Sequence, residues 1–452
     1  MYYKPRRMNK MAETAVYLLI LFFIAVFALW VNNLSMESSW QKAGFVNFSL
    51  GIVMLSAYVF GQALKIFRLP LISGYIFAGI LLGPYVIGFL TKTMVAQMRL
   101  LDDLALSFIA LAAGGEFNLQ FLYKRFKPIV LTILFLTVVV FGMVFLFVVF
   151  MGGFFSFTGN LSSIQIAALA LLLGVVAVAR SPSSAIAIIS ECRAKGVFTE
   201  TALGVTIAMD VLIIILFTLA MAGARIMLIP GGAVDPMVFG AVLLEIIASI
   251  FIGTVSGKVI SFYIERAGHD LSLFLLFFAF GVTKISFWFD HFMESSFDIT
   301  LHLEPLIICM STGFFVQNFS KSGHLFMESL DRVSLPIFVL FFSLAGASLN
   351  IDALRITWPL ALCIAGVRIT AIFISTSIAG ILSKESAHHN RIAWMAYITQ
   401  AGVAIGLAQL AKQQFPEIGE YLNTVVLAVI TINQIVGPVT FKMSLNLAGE
   451  AR

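Results

Sequence analysis

The chain has 452 residues, of which 60% are hydrophobic and only 11% charged, where a soluble globular protein carries about 25% charged side chains. That much apolar surface has no place in water, so the composition excludes a soluble enzyme or regulatory domain and makes lipid the solvent. The net charge of +5 is no nucleic-acid signal at this length; the placement of the 28 Lys and Arg residues carries the information.

Runs of about 20 apolar residues are long enough to cross a bilayer. The sequence holds fourteen, at 14–31, 44–64, 70–90, 101–122, 128–152, 163–190, 198–224, 237–257, 271–289, 300–318, 333–350, 358–382, 391–412 and 422–442. The first follows MYYKPRRMNKM and is succeeded by NNLSMESSW. No small-residue cleavage site follows it, so it reads as a mature span rather than a signal peptide. With the N-terminus inside and the spans alternating, the inner segments hold nineteen Lys and Arg and the outer segments six. That is the asymmetry expected of cytoplasmic loops, and it places both termini in the cytoplasm. A missed span would invert every loop beyond it and spoil the contrast. The expectation is an all-α polytopic membrane protein. Residues 1–43 form a cytoplasmic segment and an extra helix, 44–442 one membrane domain, and 443–452 a short cytoplasmic tail.

In chain order, the polar features inside these runs are few. LPLISGYIFAGILLGP (69–84) is rich in glycine. Glu116, in ALAAGGEFNLQF, follows two glycines that permit close helix approach. ARSPSSAIAII (179–189) breaks the sixth span with Pro182, the hydroxyls of Ser181, Ser183 and Ser184, and a permanent charge at Arg180. Asp210 stands near the middle of TALGVTIAMDVLIIILFTLA, with Thr206 one turn away on the same face. A centred carboxylate costs roughly 2.5–3.5 kcal/mol to insert and marks an ion path by default. Arg368 is mid-span in LCIAGVRITAIFIS; it keeps its charge and shuttles no proton. A packing role, neutralised by a carboxylate such as Glu116 or Glu304, is the alternative for it. YITQAGVAIG (397–406), with Thr399 and Gln400, interrupts the thirteenth span.

The two interrupted spans lie seven apart, so they run in opposite directions. Two inverted six-span halves, about 44–226 and 270–442, account for this. Paired broken helices at matching places in such halves point to the binding site of a secondary transporter. Each break frees backbone N–H and C=O groups that lipid cannot satisfy. Where two breaks cross they leave polar space between half-helix ends that carry partial charges. The serines, Thr399 and Gln400 can supply oxygen ligands there. A cation favours the ionised form of Asp210, and a proton removes the cation's ligand. With Met209 beside it and no second acid, one H⁺ per cation and an electroneutral cycle are expected. Arg180 either pairs with Asp210 when the site is empty or holds the unwound carbonyls; the sequence leaves both open.

Neither GxxxxGK[ST] nor HExxH occurs, which removes support for an ATP-driven pump or an intramembrane metalloprotease. The three cysteines have no metal-ligand or disulfide spacing. No cofactor, resident metal or nucleic-acid partner is expected.

Taken together, LPLISGYIFAGILLGP, LDDLALSFIALAAGGEFNL, RSPSSAIAII with MD in the next helix, VRITAIF and ITQAGVAIGLA resemble the ordered motifs of the monovalent cation–proton antiporters. The branch of potassium efflux systems and bacterial sodium–proton exchangers is the most similar. The resemblance covers about 44–442. It implies that Asp210 binds Na⁺ or K⁺ and H⁺ in turn, that Arg368 supports the site, and that the protein is a homodimer in the cell (inner) membrane. It also implies a core domain that moves against a dimerisation domain. There are two departures: Met209 stands where the family usually has a polar residue, and Arg180 where many members have a neutral one. A proton-coupled anion or organic-solute carrier, and a channel or sensor on the same fold, remain as alternatives.

Overall fold

Each expected span from the second to the fourteenth overlaps a helix or a pair of helices among the described residues. The computed structural model describes residues 16–17, 19–20, 23–24, 39–67, 69–116, 119–228, 236–266, 268–297, 303–400 and 402–451. The extra span at 14–31 lies outside these apart from isolated positions. In chain order the helices are α1 (Ser39–Ile66), α2 (Leu71–Leu82), α3 (Lys92–Gln97), α4 (Arg99–Glu116), α5 (Leu119–Phe135) and α6 (Phe141–Met151), the last two joined by a π-helical turn, Leu136–Val140. Then follow α7 (Ser163–Val178), α8 (Pro182–Cys192), α9 (Val197–Leu228), α10 (Pro236–Arg266), α11 (Leu271–Phe297), α12 (Pro305–Phe319), α13 (Gly323–Ser348) and α14 (Ile351–Ser383). The last are α15 (Ala387–Ile392), a 3₁₀ turn at Ala393–Tyr397, α16 (Gly402–Gln414) and α17 (Pro416–Leu447). No strand occurs among the described residues. Nine of the described helical stretches are long and apolar enough to cross a membrane, and 71–82, 305–319 and 403–412 are shorter apolar helices.

The chain divides into two compact units that do not follow the sequence halves. One comprises residues 1–102 and 336–349. Its helices meet through small residues, as membrane helices must when lipid gives no hydrophobic drive to associate. A side chain at Gly74 would strike the backbone of Gly61, one at Gly79 would strike the Ser343 carbonyl, and one at Gly346 that of Ile76. The glycines of the GYIFAG segment are thus contact points.

The other unit comprises 103–335 and 350–452 and holds both breaks, Asp210 and both buried arginines. Here α4 and α12 cross at Gly114 and Gly313, each facing a backbone carbonyl of the other helix. Gly253 and Gly257 of α10 face Ile308, Ser311 and Phe315 of α12 in the same way. The Thr312 hydroxyl donates to the Gly253 carbonyl at 3.0 Å. Lys442 of α17 pairs with Glu191 of α8 at 2.8 Å.

The start of α9 has an unusual cap. Glu450, beyond the end of α17, accepts from the backbone N–H groups of Phe198 (2.8 Å) and Thr199 (2.7 Å) and from the Thr199 hydroxyl (2.7 Å). A carboxylate at a helix N-terminus satisfies orphan donors and complements the helix dipole.

Candidate functional site

The first break is written in the sequence. Upstream, Ser162 and Gln165 close a capping box that starts α7. Downstream, Pro182 has no N–H to give, and proline disfavours helical geometry in the residue before it. Ser181 is accordingly extended (φ −111°, ψ 99°), and its hydroxyl oxygen caps α8 by accepting from the Ser184 N–H at 3.2 Å. The Ser181 hydroxyl donates to the Ser184 oxygen at 2.9 Å and lies 3.1 Å from that of Ser183. Pro182 takes the first helical position, where a missing N–H costs nothing. Thus α7 stops at Val178; the Val176 carbonyl keeps one local partner, the Ala179 N–H at 3.1 Å, and the other carbonyls of the last turn are left without helical partners.

Those carbonyls are gathered by side chains from elsewhere in the unit. Arg368 of α14, 0% exposed, donates from Nε to the Ala177 carbonyl (2.8 Å) and from Nη2 to that of Ala179 (3.1 Å). Its Nη1 donates to the Ile398 carbonyl at 2.8 Å. Ile398 ends the 3₁₀ turn before the second break, so one guanidinium joins the C-terminal ends of both interrupted helices. Its full charge opposes the partial negative charge of each end. Gln400 donates to the Val176 carbonyl at 2.8 Å and accepts from Asn433 of α17 at 2.9 Å. Gly437 lets Thr399 pack against α17, since a side chain there would collide with it.

Arg180, at the break itself, is 2% exposed. Its Nη1 donates to the carbonyls of Ala177 (3.2 Å) and Ala179 (3.1 Å). Its Nε and Nη2 have no hydrogen-bond partner.

Beside this knot lies a cavity of about 40 Å³, room for two or three water molecules at about 10–15 Å³ each. Its polar lining is Arg180, Ser181, Ser183 and Asp210; Leu106, Ile109, Ala113, Leu306, Met310 and Val403 are among its apolar walls. Asp210 of α9 is half-buried, and its Oδ1 has no hydrogen-bond partner. Met209 turns the other way and is 1% exposed, so it adds no group to the cavity. Among the described residues no three His, Cys, Asp or Glu side chains cluster as a resident metal site would require.

Of the residues singled out in the sequence, the fold brings Arg180, Ser181, Ser183 and Asp210 to one cavity. It puts the rest elsewhere. Thr206 is buried but does not line the cavity, and its hydroxyl donates to the Ala202 carbonyl of its own helix at 2.8 Å. Ser184, Thr399 and Gln400 are buried off the lining, in the packing of the breaks. Glu116 is exposed at the end of α4, away from the cavity, among Asp331, Lys195 and Glu200. The guanidinium nitrogens of Arg368 donate to three backbone carbonyls rather than to Glu116 or Glu304. Asn433 went unnoticed in the sequence, although an amide inside the apolar run TVVLAVITINQIVGPV carries the same signal as a buried charge.

The family model for the transmembrane sodium/hydrogen exchangers matches residues 51–447. The chain belongs to the sodium/hydrogen exchanger family. Two solved structures of the sodium/proton antiporter MjNhaP1 from Methanocaldococcus jannaschii share the exchanger's fold. The one determined at pH 8 has a TM-score of 0.64 at 16% identity, covering 90% of this chain and 96% of that one. The other, from electron microscopy, gives 0.65 at 16% identity, with 91% and 97% covered. No curated protein sequence matches the chain. As an exchanger it is a multi-pass membrane transporter rather than an enzyme, and the family's activity is cation–proton antiport.

Proposed function

We propose that this exchanger moves one monovalent cation, Na⁺ or K⁺, against one H⁺, with Asp210 as the group both ions share. The observation that carries this reading is the Asp210 carboxylate, its Oδ1 unpartnered, on one small cavity with Ser181 and Ser183 of a helix break whose end Arg368 joins to the second break. A buried polar atom without a partner is costly, and a partly dehydrated cation or a proton relieves it. The two exclude each other, because protonation removes the oxygen the cation needs. Binding to either side of the membrane in turn then makes the exchange obligatory. Among the described residues Asp210 is the only carboxylate lining the cavity, which supports one H⁺ per cation and an electrically silent cycle. The loop charges support cytoplasmic termini in the cell membrane, and the family resemblance supports a homodimer.

The test is dequenching of a pH-sensitive dye in proteoliposomes after addition of Na⁺, K⁺, Li⁺ or a series of anions. Wild type responds to one or more alkali cations, the rate is unchanged by an imposed membrane voltage, and Asp210→Asn loses the response while remaining folded. Exchange at full speed in Asp210→Asn, or a response to anions alone, overturns the reading. Channel-like currents or complete absence of flux would assign the fold to a different class of protein.

A further inference from the structure

We propose that Arg180 is an intramolecular competitor for Asp210, and that it sets how weakly the exchanger holds its cation. The inference rests on the exchange reading above. Two arginines are sealed in the same knot, yet their bonding differs. Arg368 has all three nitrogens engaged by carbonyls, so its charge is held in place. Arg180 engages Nη1 alone, leaving Nε and Nη2 without partners. Those two nitrogens form one edge of the planar guanidinium, the edge that receives both oxygens of a carboxylate in a bidentate pair.

An unpartnered charged edge at 2% exposure is a costly thing to keep. Among the described residues the lining offers it one anionic partner. Asp210 shares the cavity with Arg180, and its Oδ1 is likewise unpartnered. In this structure the two are not joined, and each has free bonding capacity that the other complements.

The three occupancies of the site follow from charge alone. When Asp210 is protonated, its neutral form has no claim on the guanidinium. When a cation is bound, two positive charges face one carboxylate, and the mobile one must hold its place against the tethered one. When the site is empty and Asp210 ionised, the free edge of Arg180 is the positive charge on the same lining that compensates it. A cation arriving from either side then displaces a charge that is already there. The tethered charge opposes occupancy by the ion, so the affinity of the site is lower than its carboxylate and hydroxyls would give alone. An apolar side chain in place of Arg180 would leave the same oxygens and a tighter site.

The full-length protein in proteoliposomes supplies the test, with the cation concentration for half-maximal dye dequenching as the readout. Arg180→Gln keeps a donor for the Ala177 and Ala179 carbonyls and removes the charge. Its half-saturating cation concentration falls by about tenfold, the ratio equivalent to about 1.4 kcal/mol, whatever happens to the maximal rate. Arg180→Lys keeps the charge but not the paired edge, and its value falls by about two- to threefold. A purely structural Arg180 predicts slower exchange and poorer folding with the half-saturating concentration unchanged or raised, and that result overturns the proposal. If Arg180→Gln does not fold, Arg180→Lys decides on the same criterion. Wild type that exchanges no cation at all refutes the exchange reading; wild type that exchanges with an unshifted variant refutes only the role of Arg180.

Discussion

Arg368 and Arg180 sit at the same broken helix end, carry the same permanent charge and are both closed off from solvent. Both donate to the carbonyls of Ala177 and Ala179. Arg368 has a third carbonyl, from the other broken helix, and nothing left over. Arg180 keeps two nitrogens in reserve. Charge and burial do not tell the two apart; hydrogen-bond satisfaction does. A buried group with every donor answered holds the fold together, and one with donors unanswered next to a cavity is available for chemistry.

The comparison breaks first, if it is wrong, on stability. Arg368→Gln takes the charge from three carbonyl bonds at once, each a charged hydrogen bond contributing about 1.5–3 kcal/mol. The expected loss exceeds about 3 kcal/mol, read as a steep fall in melting temperature in detergent or loss of the monodisperse peak. Arg180→Gln costs clearly less; equal losses in the two variants would erase the distinction. Next comes Gln400→Leu, which removes one of the two bonds to the Val176 carbonyl and strands the Asn433 amide nitrogen. It lowers stability by about 1–3 kcal/mol without shifting the half-saturating cation concentration. The smallest effect belongs to Ser183→Ala. Its hydroxyl bonds only to Ser181 and faces the cavity, so stability changes by about 0.5 kcal/mol while cation half-saturation rises by a few fold. A shift in cation affinity from Gln400→Leu larger than that from Ser183→Ala would move the ligand shell from the cavity to the knot.

The breaks and the central acid were legible because each violates a strong rule. Pro182 cannot continue a helix, and Asp210 has no reason to lie in lipid without a task. The spans were legible because apolar length is a direct measure of membrane thickness. Partners across helices were not. Thr206 lies one turn from Asp210 by spacing, but a threonine hydroxyl in a helix is easily captured by the carbonyl four residues back, and this one is. Gln400 reads as an oxygen ligand until the opposing helix end is in view, where its amide nitrogen is the group that matters. Glu116 and Arg368 are opposite charges in two of the motifs, but the pairing of Arg368 is decided by where two helix ends converge, and no one-dimensional pattern encodes that. Asn433 shows the reverse case, a signal present in the chain and passed over because amides carry no charge.

The cap that Glu450 places on α9 ties the helix of Asp210 to a residue made 252 positions after Phe198. As the ribosome delivers the chain, the first turn of that helix therefore emerges with these amide protons open, and they are closed only after α17 has been made. The acid-bearing helix is in this sense completed by a segment translated long after it.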